Sequence, residues 1–373
     1  MSLGPLIIAI AVATAVPLIV LYVIYTLDLY GTGSFKTVAL CFVWGGLMVG
    51  AAFIANTDLY DRIGDFDTMV RFVAPIVEEL LKAAILVYLV RQKNFTYFVD
   101  GAIYGFAVGI GFAVFENYFY LAQSQNEALS IAIGRVLSTN LMHAAASAVV
   151  GSALGFARFQ RFRGRAFFLV AGLVTAMAFH MGFNNLTQSD AGGGLLLLYA
   201  AVIGFGGTGF IAWVIRRGLN EQKLWIQDSL AKIDKRVITA NEAAAVDRLA
   251  DAPTVLEPLE KVFGTEMAVR IEKFLVLQAQ IGIKLKTVEK LNDEKMRSAV
   301  EREVQTMQDE MENLRKQIGG HTMLSLRVIF PDATSRIKNT LETVTAAREP
   351  GTAALFAALD QKTARPPTVN SEQ

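Results

Sequence analysis

The chain has 373 residues, of which 53% are apolar and 18% charged, with a formal net charge of +1. A charged fraction so far below the roughly 25% usual for soluble domains excludes an ordinary soluble globular protein, and the near-neutral balance offers no basic field for nucleic acid, so no nucleic-acid partner is expected. The single cysteine, Cys41, lies in an apolar run and excludes a disulfide within the chain.

Charge is placed unevenly. Long apolar runs fill Gly4 to Trp213, and charged residues become dense from Arg216 onward. This split predicts an all-α protein: a polytopic helical membrane bundle followed by a soluble, coiled-coil-like helical domain. A hydrocarbon core about 30 Å thick needs around 20 apolar residues of helix. Seven segments meet that need: Pro5–Leu27, Phe35–Ala55, Met69–Val90, Val99–Leu121, Leu129–Phe156, Ala166–Thr187 and Gly194–Ile215. The first lacks a basic leader and a small-residue cleavage site, so it reads as a retained span.

Loop charge sets the expected orientation. Arg91 and Lys93 follow the third span, Arg158, Arg161, Arg163 and Arg165 the fifth, and Arg216, Arg217 and Lys223 the seventh. The alternate loops carry Asp58, Asp61, Asp65, Asp67 and Asp190, with Arg62. Lys/Arg excess marks the cytoplasmic side, which puts the N-terminus outside and the C-terminus in the cytoplasm of a multi-pass cell-membrane protein.

Beyond the spans, Ile271, Phe274, Ile281, Leu285 and Val288 recur at helical spacing, as do Val300, Val304, Met307, Met311, Leu314 and Ile318. The two seams are out of register across Asn292–Ser298. Either the helix turns back there or one long coiled helix carries a discontinuity. Such seams suit a homo-oligomer held by the cytoplasmic helices, or a hairpin. The expected units are a membrane domain at 1–217, a cytoplasmic helical domain at 218–360 and a disordered tail at 361–373, where Pro366-Pro367 and small polar residues gather.

The spans also carry ionisable groups, each of which is costly in lipid and a functional hypothesis by default. The third holds Glu78, Glu79 and Lys82, the fourth Glu116 and Asn117 with Asp100 at its start, the fifth Asn140 and His143, and the sixth His180, Asn184 and Asn185. Glu78 and Lys82 are four apart and share a helix face, while Glu79 and Lys82 are three apart and also meet. Adjacent carboxylates in low dielectric do not both ionise easily, and a proton-sharing pair suits general acid/base work. Pro75 cannot donate a helix bond and is expected to kink or open the helix just before them. His180 and Asn184, four apart, can aim an imidazole and an amide donor into one cavity, the makings of an oxyanion hole. Gly101, Gly105 and Gly109, four apart, read as positions of close helix approach.

The run Pro75-Ile76-Val77-Glu78-Glu79-Leu80-Leu81-Lys82 resembles the EExxK signature of PrsW-type intramembrane proteases, in the wider CAAX-protease-like class. Asp100-Gly101-Ala102-Ile103-Tyr104-Gly105 and Gly111-Phe112-Ala113-Val114-Phe115-Glu116-Asn117 resemble the family's second motif. His143 falls where a third-motif histidine stands, and His180-Met181-Gly182-Phe183-Asn184 resembles its HxxxN. The resemblance covers Met69 to Asn185. It differs from the wider class in a shorter first motif with lysine, and in a second motif ending on Glu116 rather than histidine.

The resemblance implies hydrolysis of a peptide bond in a membrane-anchored protein substrate, at or in the lipid bilayer, with anti-sigma factors among the substrates of such proteases. It implies Glu78 or Glu79 as general base and the other as proton-sharing partner or ligand. Glu116 and His143 would orient water or, with His180, bind a metal, zinc being the candidate. His180 and Asn184 would stabilise the oxyanion, and Lys82, Asp100 and Asn117 would support the site. The same residues suit either a glutamate-type hydrolase or a zinc hydrolase with an open coordination position. Two alternatives remain on sequence grounds: a proton-coupled transporter, since intramembrane acids and histidines build proton relays, and a catalytically silent scaffold.

Overall fold

The computed structural model describes residues 3–28, 30, 32–123, 127–189, 192–232 and 259–323. Among them there is no strand. The helices are α1 (Leu3–Thr26), α2 (Phe35–Ile63), α3 (Phe66–Thr68), then a π-helical turn (Met69–Val73), α4 (Ala74–Leu89), α5 (Phe98–Gln123), α6 (Ala128–Leu137), α7 (Thr139–Ala157), α8 (Phe162–Thr187), α9 (Gly192–Lys232), α10 (Thr265–Lys290) and α11 (Glu294–Ile318). The tail predicted at 361–373 lies outside the described residues.

Five of the seven predicted spans are long and apolar enough to cross a membrane: Gly4–Thr26, Phe35–Ile63, Phe98–Gln123, Ala128–Ala157 and Phe162–Thr187. The other two are helical but differ from the expectation. The third is divided, because a π turn separates α3 from the 16-residue α4, and it carries two acids and a lysine. The seventh continues past Ile215 as part of the 41-residue α9. The fifth is broken at Ser138 into α6 and α7. Helix α2 runs on to Ile63, so Asp58 and Asp61 ride on it rather than in a loop. It ends at Gly64, whose φ of 71° is a left-handed C-cap that only glycine adopts freely.

α5 is the centre of the bundle. It is buried along nearly its whole length from Phe98 to Val114, although it is apolar all round, as expected of a helix enclosed by others. Its closest neighbours are α7 and α2. The reason is local. A methyl group added at Gly101, Gly105 or Gly109 would sit 2.1–2.2 Å from the carbonyl oxygens of Gly151, Ser147 and His143 on α7. On the other flank, a methyl at Gly111 would sit 2.0 Å from the Phe42 carbonyl of α2. The two backbones therefore touch without intervening side chains, the small-residue packing expected of these glycines. At the opposite end from Glu116, Asp100 turns back to accept from the Thr96 and Tyr97 amides at 2.6 and 3.3 Å, and from Thr32 Oγ1 at 2.7 Å. It thereby caps the start of α5 and pins the α1–α2 connection to it.

The out-of-register seams resolve as a hairpin. The chain reverses at Leu291–Asp293, where Asp293 accepts from the Met296 amide at 2.9 Å and caps α11. Ile271, Phe274 and Ile281 of α10 and Val300, Met311, Leu314 and Ile318 of α11 are buried within this one chain. Gly319, with φ 83°, ends α11. The hairpin rests on the bundle. Gln280 donates to the Tyr30 carbonyl at 3.0 Å, Asn292 to the Phe159 carbonyl at 3.1 Å, and Lys286 pairs with Asp228 of α9 at 2.6 Å. One continuous apolar cluster joins bundle and hairpin.

If α5 and α7 meet backbone to backbone, Gly109→Ala should destabilise the detergent-solubilised protein by about 1–3 kcal/mol, the range for an overpacked core. Gly50→Ala, with nothing within 4 Å of the added carbon, should leave the unfolding midpoint unchanged or raise it. Thermal unfolding of both variants tests this, and equal behaviour would refute the packing argument.

Candidate active site

The acids and imidazoles named from the sequence converge from four helices. Glu78, Glu79 and Lys82 come from α4, Glu116 from α5, His143 from α7 and His180 from α8. Glu79, Lys82 and His143 are at most 1% exposed and His180 is 3% exposed, so a charge here has no water to solvate it and must find partners.

It does find them. Lys82 Nζ donates to Glu79 Oε1 at 2.5 Å, lies 2.9 Å from His143 Nδ1, and sits 4.4 Å from the centre of the Phe112 ring. His180 Nδ1 lies 3.0 Å from the same Glu79 oxygen. Glu79 is thus a hub between the lysine and one imidazole, and the lysine bridges to the other. The two imidazole rings are 4.8 Å apart and perpendicular. Glu116 Oε2 accepts from Arg135 Nη2 at 2.5 Å and lies 3.2 Å from His143 Nε2.

Glu78 is held differently. Asn56 of α2 donates to its Oε1 at 3.4 Å, and its Oε2 lies 3.7 Å from His180 Nε2, too far for a hydrogen bond. Glu78 Oε2 and Glu79 Oε2 are both buried without a hydrogen-bond partner. Buried carboxylate oxygens that the protein does not satisfy call for a partner from outside the chain.

Pro75 accounts for the turn that leads into α4. It has no N–H to give, and the preceding turn widens. The Ala74 amide reaches back five residues to Met69, and Pro75 occupies the start of α4. α8 holds the widened turn in place, through Asn184 Nδ2 to the Val70 carbonyl at 2.9 Å and the Gln188 carbonyl accepting from Arg71 at 2.8 Å. Asn184, expected at an oxyanion hole, therefore spends an amide N–H on this brace. Asp100 is sixteen residues from Glu116 along α5, about 24 Å at 1.5 Å per residue, and does not reach the pocket. Asn117 accepts from Arg135 Nε at 2.7 Å and donates to Asn140 Oδ1 at 3.0 Å, tying α5, α6 and α7 together behind Glu116.

Two residues of the site were not named from sequence. Arg135 is the one Lys or Arg within the predicted fifth span, which is the signal that marks it. Asn56 lies one residue past the predicted end of the second span and carried no comparable signal.

The donor set fits a cation. Ligand atoms of Glu78, His143 and His180 all lie within 4.8 Å of one another, and His₂Glu is a zinc-hydrolase set. The carboxylate of Glu79 behind His180 Nδ1 is the arrangement that orients a metal-binding imidazole. His143 has a partner on each nitrogen, so a cation at Nε2 would displace the proton shared with Glu116. Glu116, a ligand candidate from the sequence, lies outside that trio: its Oε2 accepts from Arg135 Nη2 and sits 3.2 Å from His143 Nε2.

Residues 33–214 match the family described as "PrsW family intramembrane metalloprotease". The chain is 30% identical over 134 residues to "Protease PrsW" of Clostridioides difficile (strain 630), covering 35% of this chain and 56% of that protein. It is 29% identical over 163 residues to "Protease PrsW" of Bacillus subtilis (strain 168), covering 43% of this chain and 73% of that protein. The match thus spans little more than half the length of the first relative. No solved structure matches the chain. An EExxK helix, the Glu116 and His143 positions and an HxxxN helix meeting in one buried cluster agree with that match, and over residues 33–214 this multi-pass membrane protein is similar to the PrsW family.

Proposed function

We propose that this chain is an intramembrane protease that hydrolyses a peptide bond of a membrane-anchored protein. The observation that carries the reading is the pair of orphaned carboxylate oxygens, Glu78 Oε2 and Glu79 Oε2, beside two buried histidines.

His143, His180 and Glu78 would hold a zinc ion, with Glu116 next to His143. Such an ion supplies a Lewis acid that lowers the pKa of bound water and polarises a carbonyl. The chain's own residues do the rest. Glu79 Oε1 accepts from Lys82 and fixes His180 with its Nε2 toward the pocket. Glu79 Oε2 takes the proton of the attacking water as its oxygen joins the carbonyl carbon. That proton then passes to the amide nitrogen as the C–N bond breaks. Lys82 balances the charge of Glu79, and the apolar wall around Phe112 excludes bulk water, which strengthens each of these interactions. Arg135 holds Glu116 in place through its Nη2.

Tyr30 and the loops at 90–97 and 158–161 share one end of the bundle with the hairpin, and the basic clusters of the two loops favour the cytoplasm for that end. The pocket then lies toward the outer leaflet. The buried seams of the hairpin leave self-association to surfaces other than those seams.

The test is cleavage of a membrane-anchored reporter in proteoliposomes. Glu78→Gln, Glu79→Gln and His180→Ala should each lower the rate at least about 100-fold, the lower end for loss of a general base, with the unfolding midpoint retained. Full activity in all three would end the assignment.

Metal content should divide the roles. Wild type should carry about one zinc per chain, Glu78→Gln and His180→Ala should lose it, and Glu79→Gln should hold it roughly 10–100-fold more weakly. A metal-free, chelator-resistant, active enzyme would make Glu78 a base rather than a ligand.

Arg135→Gln should lower activity about 10–100-fold, the range for a residue that orients an active-site group. An unchanged rate would remove Arg135 from the machinery.

A further inference from the structure

We propose that a cavity at the hairpin end of the bundle, between α4, α7 and α8, binds the phosphate headgroup of an anionic phospholipid. It lies at the other end of the bundle from the pocket described above and does not depend on the protease reading.

The cavity has a volume of about 350 Å³ and is walled on one side by Val87, Leu154 and Leu169. Arg91, Arg158 and Arg165 contribute three guanidinium groups, and no acidic side chain lines it among the described residues. Arg158 is the decisive one. It is 4% exposed. Its Nη1 donates to the carbonyls of Val90 and Gln92, but Nε and Nη2 are buried without a partner.

An unpaired buried guanidinium edge is costly, and native structures almost always supply the acceptor. The chain does not supply it. Asp100, the acid that acts on Arg158 electrostatically, spends its oxygens on Thr32 and on the Thr96 and Tyr97 amides. Burial pushes the Arg158 guanidinium down to about 10, which still leaves it charged at neutral pH. Arg165 is tethered at the rim by Nε to the Gln160 carbonyl at 2.9 Å, and Arg91 is exposed beside it.

The missing partner is therefore an anion with several acceptor oxygens. A phosphate group matches the guanidinium fork, and the N-terminus of α8, which begins at Phe162 on the cavity lining, adds favourable dipole. The source is a lipid because of what surrounds the charge. The apolar wall belongs to helices of the membrane bundle, and the neighbouring Phe167 and Val170 of α8 are exposed, at 66% and 57%. An acyl chain has a hydrophobic path away from the headgroup, while a soluble anion would leave that wall uncovered. Met296, near the start of α11, also lines the cavity, so the headgroup lies next to the tip of the hairpin.

The experiment uses the full chain in a non-ionic detergent and follows its thermal unfolding with added phosphatidylglycerol, phosphatidylcholine or inorganic phosphate. Phosphatidylglycerol should raise the midpoint saturably, because a ligand that binds the folded state stabilises it. Phosphatidylcholine and inorganic phosphate at equal concentration should not. Arg158→Gln can fail to fold, since Nη1 holds two carbonyls, so the informative variant is Arg91→Gln/Arg165→Gln. It should need at least about tenfold more phosphatidylglycerol for the same shift, as expected on losing charge-assisted hydrogen bonds. Equal shifts from the two lipids, or an unchanged titration in the double variant, would overturn the site. A shift from inorganic phosphate matching that from phosphatidylglycerol would overturn the lipid as its ligand.

Discussion

The arrangement of the membrane core depends on one buried ion pair, Lys82 with Glu79. An ammonium removed from water costs several kcal/mol, and burying a carboxylate beside it recovers that only if the remaining hydrogen bonds are also satisfied. Here the lysine also reaches His143 and the face of Phe112, and the carboxylate reaches His180. Satisfying one pair of charges therefore fixes α4 against α5, α7 and α8 together. A structural role and a chemical one are carried by the same atoms, because the helices cannot pack until the imidazoles are oriented.

That demand is met around a helix with no room to spare. Backbone contacts at Gly105 and Gly109 set the distance between α5 and α7, and the His143 carbonyl that touches Gly109 belongs to the residue whose side chain enters the pocket. Glu116, two turns further along α5, is then delivered to His143 and Arg135. Outside this layer, Asn117, Asn140 and Arg135 form a polar network that links three helices. In low dielectric such a network is stabilising only when its members are paired, and most are.

Much of this was legible in the sequence because lipid is a demanding solvent. Charged residues in apolar runs are conspicuous, and Glu78, Glu79, Lys82, Glu116, His143 and His180 all stood out and all meet. The four-residue spacing of Gly101, Gly105 and Gly109 announced the close helix approach, and Pro75 announced a disturbance. Periodicity could not say whether the seams at Ile271 and Val300 pair with each other or with a second chain. The phase break across Asn292–Ser298 allows both, and the choice is made by tertiary contacts with Tyr30 and Phe159. Helix α6 was hidden because its break from α7 at Ser138 falls inside a segment long and apolar enough to read as one span. The sequence showed that His180 and Asn184 share a face, but not that the widened turn at Val70 would take the amide. Which acid neighbours which imidazole depends on helix rotation, and that is not written in any one helix.

The glycine-lined contacts of α5 bear on how a long polypeptide could ever reach the acids. On a rod clamped on two flanks by main-chain atoms, rolling or tilting would drive backbone into backbone. Freedom to part must reside in neighbours joined by weaker seams. The widened turn before α4 is held by two hydrogen bonds to the far end of α8, and α6 is separated from α7 by a break at Ser138. The irregular backbone of the bundle, the π turn before α4 and the break at Ser138, thus sits toward the rim that faces away from the hairpin.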